Sequence, residues 1–183
     1  LYEASRPNDP QHHLAVLPLA ILLENIGCYA ALYAGATLSL PSQATLGIQG
    51  ASGVDVPRLL GCLASRAPDS LILVPQLLLL LVTAAEQNAF NPKTLHFAAV
   101  GGARVSHELL DRAQRVGMPV YEGYGLSECA SVVCLNSPGA RRAGSVGKPL
   151  PHVEVRLAED GEVLIKGATL LGYLGEPPHA HEW

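Results

Sequence analysis

The stretch Pro119–Val133, PVYEGYGLSECASVV, sets an apolar strand directly before a Gly-Tyr-Gly turn, and a hydroxyl and a carboxylate follow at once. Pro119–Glu122 reads as a short buried strand. Gly123 and Gly125 leave bare backbone on either side of Tyr124, so a flat ligand can come close while the ring lies against its face. Ser127 is placed to cap a short helix, ECASVVC, whose free amide groups attract phosphate. Glu128 falls in the same first turn. A carboxylate beside a phosphate is repelled unless a cation bridges them, and Mg²⁺ is the natural bridge. The same residues also have an ordinary reading as glycine punctuation followed by capping and dipole chemistry at a helix start. The stretch by itself leaves both readings open.

Upstream, strand and helix signals alternate. Leu14–Leu17, Ala36–Leu40, Ser70–Val74 and Leu95–Val100 read as short buried strands. Between them, Asp55 is placed to cap a helix with Pro57 in its first turn and Leu59, Leu60 and Leu63 on one side; Pro68 ends it. Ser106 is placed to cap another, with a Leu109, Leu110, Ala113 and Val116 stripe and Gly117 as terminator. This order predicts an α/β fold with a mainly parallel, doubly wound sheet flanked by helices. Ligands of such sheets bind beyond the carboxyl ends of the strands. Gly101, Gly102 and Ala103 follow one strand and the Gly-Tyr-Gly turn follows the next, so both are expected to line one crevice.

Downstream of NSPGARRAGSVGKPLP the pattern changes. Val153, Val155 and Leu157 alternate with polar residues, Asp160–Gly161 makes a turn, and Val163 and Ile165 alternate again, which predicts a β-hairpin. The expected division is an α/β part over residues 1–136 and a loop and β-rich part over 137–183. The lysine-free QATLGIQGASG (Gln43–Gly53) reads as a surface loop. GSVGKPLP reads as a structural loop, because no Ser or Thr follows Lys148.

Bulk properties narrow the function. Of 183 residues, 49% are apolar and 15% charged, against roughly 25% charged in an average soluble domain. A net charge of −4 offers no surface for nucleic acid and does not indicate membrane association. The most apolar run, Leu71–Val82, is too short to span a bilayer and contains Pro75 and Gln76. The polar opening LYEASRPNDPQHH does not read as a signal peptide, so a cytoplasmic location is expected. Cys28, Cys62, Cys129 and Cys134 form no CxxC pair and read as reduced, buried thiols. His12–His13 and His179/His181 sit in polar, Pro-rich surroundings and read as solvated.

The order LPLAILLEN, AAVGGARV, YEGYGLSE, GSVGKPLP and GEVLIKGATLLGY resembles the middle of the adenylate-forming (AMP-binding) superfamily over nearly the whole chain. Within it the chain is most similar to long-chain acyl-coenzyme A synthetases. The resemblance implies an AMP-forming ligase using ATP, Mg²⁺ and coenzyme A: a carboxylic acid, here a fatty acid, attacks the ATP α-phosphate, and a thiol then takes the acyl group from the acyl-adenylate. It implies that Gly101, Gly102 and Ala103 edge the adenine and acyl pocket. It also implies that Glu122, Gly123, Tyr124, Gly125 and Leu126 surround the nucleotide, with Tyr124 stacked on adenine. Ser127 then matches a phosphate-binding residue and Glu128 the Mg²⁺-linked glutamate. Pro18, Leu19 and Glu24 fit the family's LPL-x-H-x-x-E segment, but Ile21 stands where the histidine would be.

Three further family elements do not occur in these 183 residues: the lysine-containing Ser/Thr/Gly loop, the Thr-Gly-Asp motif and the lysine of the C-terminal lid. The expectation is a central portion that neither adenylates nor binds nucleotide tightly alone, and that self-associates through uncovered apolar faces. The alternatives are a non-catalytic interaction module derived from the same family and, without specific sequence support, a flavodoxin-like domain for another nucleotide.

Overall fold

The computed structural model describes residues 1–50 and 53–175; His179, His181 and Trp183 lie outside the described residues. In chain order the elements are α1 (Tyr2–Ser5), β1 (His12–Leu14), α2 (Leu22–Tyr33), β2 (Thr37–Ser39), α3 (Gln43–Leu46), β3 (Ile48–Gln49), β4 (Gly53–Val54), α4 (Val56–Arg66) and β5 (Ser70–Leu73). They continue with α5 (Pro75–Glu86), β6 (Phe97–Val100), α6 (His107–Arg115), β7 (Val120–Tyr124), β8 (Cys134–Leu135), β9 (Lys148–Pro149), β10 (Glu154–Leu157) and β11 (Val163–Lys166).

Seven strands form one sheet in the order β2-β1-β5-β6-β7-β8-β9. The first five run parallel, whereas β8 and β9 are antiparallel. The chain moves outward from β1 to β2, then returns across β1 to β5 and continues the other way. Right-handed crossovers moving in opposite directions put α2 on one face and α5 and α6 on the other. The sheet is therefore doubly wound, with its order reversing between β1 and β5, which is where a ligand crevice forms in such sheets.

Local chemistry accounts for most elements. The Asp55 carboxylate accepts from Arg58 N–H at 3.1 Å and the Ser106 hydroxyl from Leu109 N–H at 3.2 Å, so α4 and α6 start where their caps stand. The α4 stripe that faces the core is Leu59, Cys62 and Leu63, with Leu60 half-buried beside it. Leu71, Leu73, Val100 and Val120 fill the sheet interior, and Leu78, Leu81 and Val82 of α5 cover one face. Arg112 clamps α6 to α5 through two bonds to the Glu86 carboxylate, at 2.9 and 2.7 Å. The hairpin β10–β11 pairs Val155 with Ile165 and Leu157 with Val163, as the alternation predicts.

Five expectations are corrected. The first strand is His12–Leu14, not Leu14–Leu17: Ala15 N–H makes a last bond to the Ser39 carbonyl of β2 at 3.0 Å, and beyond it the Glu24 carboxylate takes the Leu17 N–H at 2.8 Å. His13 is consequently buried rather than solvated, at 2% exposure, since β1 has a neighbour on each side. Gln43–Gly53 is not a plain surface loop. Ser42 caps α3, Leu46 is fully buried, and β3 pairs with β4; of this stretch, residues 51 and 52 lie outside the described residues. ECASVVC is not a helix: only a 3-10 turn over Ser127–Cys129 forms, with no side-chain cap, and the chain then doubles back as β8. The β-branched pair Val132–Val133 favours extension, and the reversal passes through Ala130 and Ser131 at φ 52° and 83°. GSVGKPLP, expected as a loop, contributes the edge strand β9.

Candidate active site

The carboxyl ends of β5, β6 and β7 border a cleft of about 260 Å³ that opens to solvent. One wall is apolar, made by Ile21 at the end of the β1–α2 connection and Leu23 in the first turn of α2, with Ile72 and Val74. The other is the glycine-rich wall: Gly101 and Gly102 after β6, then Gly123, Tyr124, Gly125, Leu126 and Ser127 at the end of β7. Two of the glycines are dictated by geometry. Gly102 holds φ +80°, and a side chain on Gly125 would run into the Ser131 carbonyl. The close passage of Gly125 over Ser131 is what lets β7 turn back into β8 while Tyr124 stays at the cleft.

The Tyr124 ring is half-buried. It lines the cleft and packs on the small cluster of Cys129, Val133 and Cys134. Its backbone is locked by Val133 N–H donating to the Tyr124 carbonyl at 2.9 Å. Ser127 is exposed at the cleft. Glu128 stands just outside its lining: Tyr173 O–H donates to Oε1 at 3.1 Å, and Leu170 N–H donates to the Glu128 carbonyl at 2.7 Å. The segment after β11 thus folds back onto the turn that carries Glu128.

The remaining sequence-derived candidates stand apart from the lining. Ala103 is exposed beyond Gly102. Glu122, outside the lining, faces Arg104, Val105 and His107 of the β6–α6 segment. Burial raises its carboxyl above the ordinary value, opposed by the Val105 backbone hydrogen bond and the His107 and Arg104 charges. The structure therefore brings Gly101, Gly102 and Gly123–Ser127 to one cleft, and leaves Ala103, Glu122 and Glu128 at or beyond its edge.

Two residues outside the sequence-derived site list shape this site: Asn136, which sequence reasoning passed over, and Glu24, which it gave only as a match to the family segment. Asn136 is buried, and its side-chain amide donates to the Glu122 carbonyl at 3.0 Å and the Ser145 carbonyl at 2.6 Å while Oδ1 accepts from Arg142 N–H at 2.9 Å. It pins β7 to the loop before β9. A lone amide closing the apolar run VVCL is its only sequence signal. Glu24, 0% exposed, ties the start of α2, which carries Leu23, to the connection that ends in Ile21: His13 Nε2 lies 3.0 Å from Oε1, and Leu17 N–H donates to Oε2.

A family profile described as AMP-binding enzyme matches residues 2–174. The chain belongs to the AMP-binding enzyme family. A long-chain-fatty-acid–CoA ligase from Salmonella typhimurium is 31% identical over 141 residues, covering 70% of this chain and 25% of that protein. The long-chain-fatty-acid–CoA ligase FadD15 of Mycobacterium bovis is 39% identical over 77 residues, covering 42% of this chain and 13% of its own length. Among solved structures, o-succinylbenzoate coenzyme A synthetase from Bacillus subtilis, in complex with ATP and magnesium ion, superposes with a TM-score of 0.70 at 22% identity. That match covers 91% of this chain and 35% of the other, so it establishes a shared fold. The chain spans a quarter or less of the two ligases it matches. Among the described residues no helix is long and apolar enough to cross a membrane.

Proposed function

We propose that this chain forms the adenine- and acyl-binding centre of an AMP-forming acid–thiol ligase that activates a fatty carboxylic acid with ATP and passes it to coenzyme A. The observation that carries the reading is the cleft at the sheet's reversal point, where bare glycine backbone and one tyrosine ring face an apolar wall. Tyr124 stacks on the adenine, and Gly123 and Gly125 allow the base to approach the backbone. Gly101 and Gly102 form the seam between the nucleotide and the acyl group. Ile21, Leu23, Ile72 and Val74 give the acyl chain an apolar surface, and Ser127 donates its hydroxyl to phosphate.

Mg²⁺ fits the donor set beside this cleft. Tyr173 occupies only Oε1 of Glu128, and a single carboxylate oxygen suits an ion that keeps several waters and takes its other ligands from phosphate. Bound there, the ion would neutralise phosphate charge. Glu128 would hold it, and Tyr173 would keep the carboxylate turned toward it.

We assign residues 1–136 to the α/β part of this catalytic domain and 137–183 to its β-rich continuation. The 183 residues contain no lysine loop for the phosphates, and groups acting together on one transition state fail together. The isolated chain is therefore expected to give no ATP–pyrophosphate exchange above background with fatty acids, and no micromolar ATP binding by calorimetry. In the longer parent protein, Tyr124→Ala should raise the KM for ATP with little effect on fatty-acid KM. An unchanged ATP KM would remove Tyr124 from the nucleotide site.

A further inference from the structure

Beneath the cleft, on the face of the sheet covered by α2, three chemically reactive side chains converge that the proposed ligase chemistry does not use. Glu24 and Cys28 are one helical turn apart on α2 and project to the same side. His13 of β1 faces them. One donor atom from each lies within 4.8 Å of the others, and all three residues are buried. We propose that His13, Glu24 and Cys28 form a structural zinc site that ties α2 to the parallel sheet.

The spacing between the first two donors already suits an ion. His13 Nε2 and Glu24 Oε1 are 3.0 Å apart, while two ligands each ~2.0–2.1 Å from one ion stand ~2.9–3.4 Å apart at octahedral to tetrahedral angles. The ion takes the place of the proton shared by that pair, and Cys28 closes on it by a change of side-chain rotamer. Nitrogen, oxygen and sulfur together form the mixed set that zinc accepts. Charge balance favours the same ion: a dication with one carboxylate, one thiolate and a neutral imidazole sums to zero, which suits a buried site.

The outer contacts are those of a held ligand set. Ser70 Oγ lies 3.0 Å from His13 Nδ1 and turns Nε2 toward Glu24. Leu17 N–H fixes the other Glu24 oxygen at 2.8 Å. Partners of this kind orient histidine and carboxylate ligands in metal proteins. A small pocket walled by Gly27, Ala30, Ala31 and Ile72 reaches His13 and Ser70, leaving space for a water as fourth ligand and a route of entry. Binding releases the Cys28 thiol proton, leaves the imidazole N–H on Nδ1 facing Ser70, and changes no oxidation state.

The test uses the 183-residue chain, stripped of metal with a chelator and titrated with Co²⁺. The expected result is one equivalent bound, a thiolate-to-cobalt charge-transfer band, and stoichiometric displacement by Zn²⁺ with a rise in Tm. Cys28→Ser should abolish the band, while Cys62→Ser, changing a buried thiol on α4, should leave it intact. Should Cys28→Ser fail to fold, zinc-edge X-ray absorption on the unaltered chain serves instead, with one sulfur and the rest nitrogen or oxygen expected. No stoichiometric binding, a band that survives Cys28→Ser, or a sulfur count other than one overturns the proposal. None of these outcomes bears on the nucleotide cleft, whose reading stands on other residues.

Discussion

Gly125 and Glu24 illustrate how single residues hold the cleft open from opposite sides. A methyl group at Gly125 would overlap the Ser131 backbone, which cannot move without breaking the turn into β8. Gly125→Ala should therefore lower stability by about 3 kcal/mol, at the upper end for overpacking. A melting temperature within a degree of the parent chain would show that the turn has slack. Glu24 works by hydrogen bonding. Its two oxygens hold His13 and the Leu17 amide, so the β1–α2 connection with Ile21 and the first turn of α2 with Leu23 have one position. The matching glutamate was visible in LPLAILLEN. Its partner was not, because His13 sits eleven residues earlier in a stretch whose composition reads as solvent-exposed.

At the scale of elements, helices α4 and α6 begin at the residues their capping chemistry requires. Gly61 is a weak point inside α4, since glycine loses more backbone freedom on folding than any other residue. Nothing stands within 4 Å of an added methyl there, and its φ is not in the left-handed region. Gly61→Ala should stabilise the protein by roughly 0.5–1 kcal/mol, read from the urea midpoint at constant m. A decrease would mean that the exposed face of α4 meets a partner in solution. The β7–β8 turn behaves in the opposite way. Ser127 and Glu128 have the composition of a helix start, yet the pairing of Tyr124 with Cys134 outweighs it and leaves only a 3-10 turn. The phosphate site inferred from a helix start therefore reduces to the Ser127 hydroxyl and the acid beside it.

For the whole molecule, the location of buried thiols sets a pH limit. Burial raises Cys28, helped by the Glu24 charge, from an ordinary value of 9.0 to about 11, and burial raises Cys129 and Cys134 as well. An unfolded chain releases these protons first, so the folded state binds more protons as pH rises past 9. In the chain stripped of metal, stability should be level below pH 9 and fall between pH 9 and 11, and denaturation midpoints at pH 8 and 10.5 measure it. A midpoint that does not fall would mean these thiols ionise in the folded state at their ordinary value. Another consequence lies at the sheet margin. Among the described residues β2 pairs on one side only, and next to it Tyr33 is 79%, Tyr29 59% and Leu32 57% exposed on α2. An open strand edge beside an apolar helix face is an association surface. The chain should sediment as concentration-dependent oligomers; a monomer at every concentration would show that this face is adequately solvated.

The sequence by itself determined the alternation of strands and helices, the starts of α4 and α6, the closing hairpin and the meeting of two glycine turns at one end of the sheet. All of these rest on short-range signals: hydrophobic period, a capping side chain, a turn dipeptide, and the rule that parallel strands present their carboxyl ends together. Only the tertiary structure decided that His13 is buried against Glu24 and Ser70, that Leu46 belongs to the core, and that the chain after Cys129 returns as a strand. Those outcomes depend on partners brought together by the sheet, where desolvation and backbone pairing outweigh local preference. For the same reason the cleft's apolar wall, drawn from Ile21, Leu23, Ile72 and Val74, exists only after two distant segments have met.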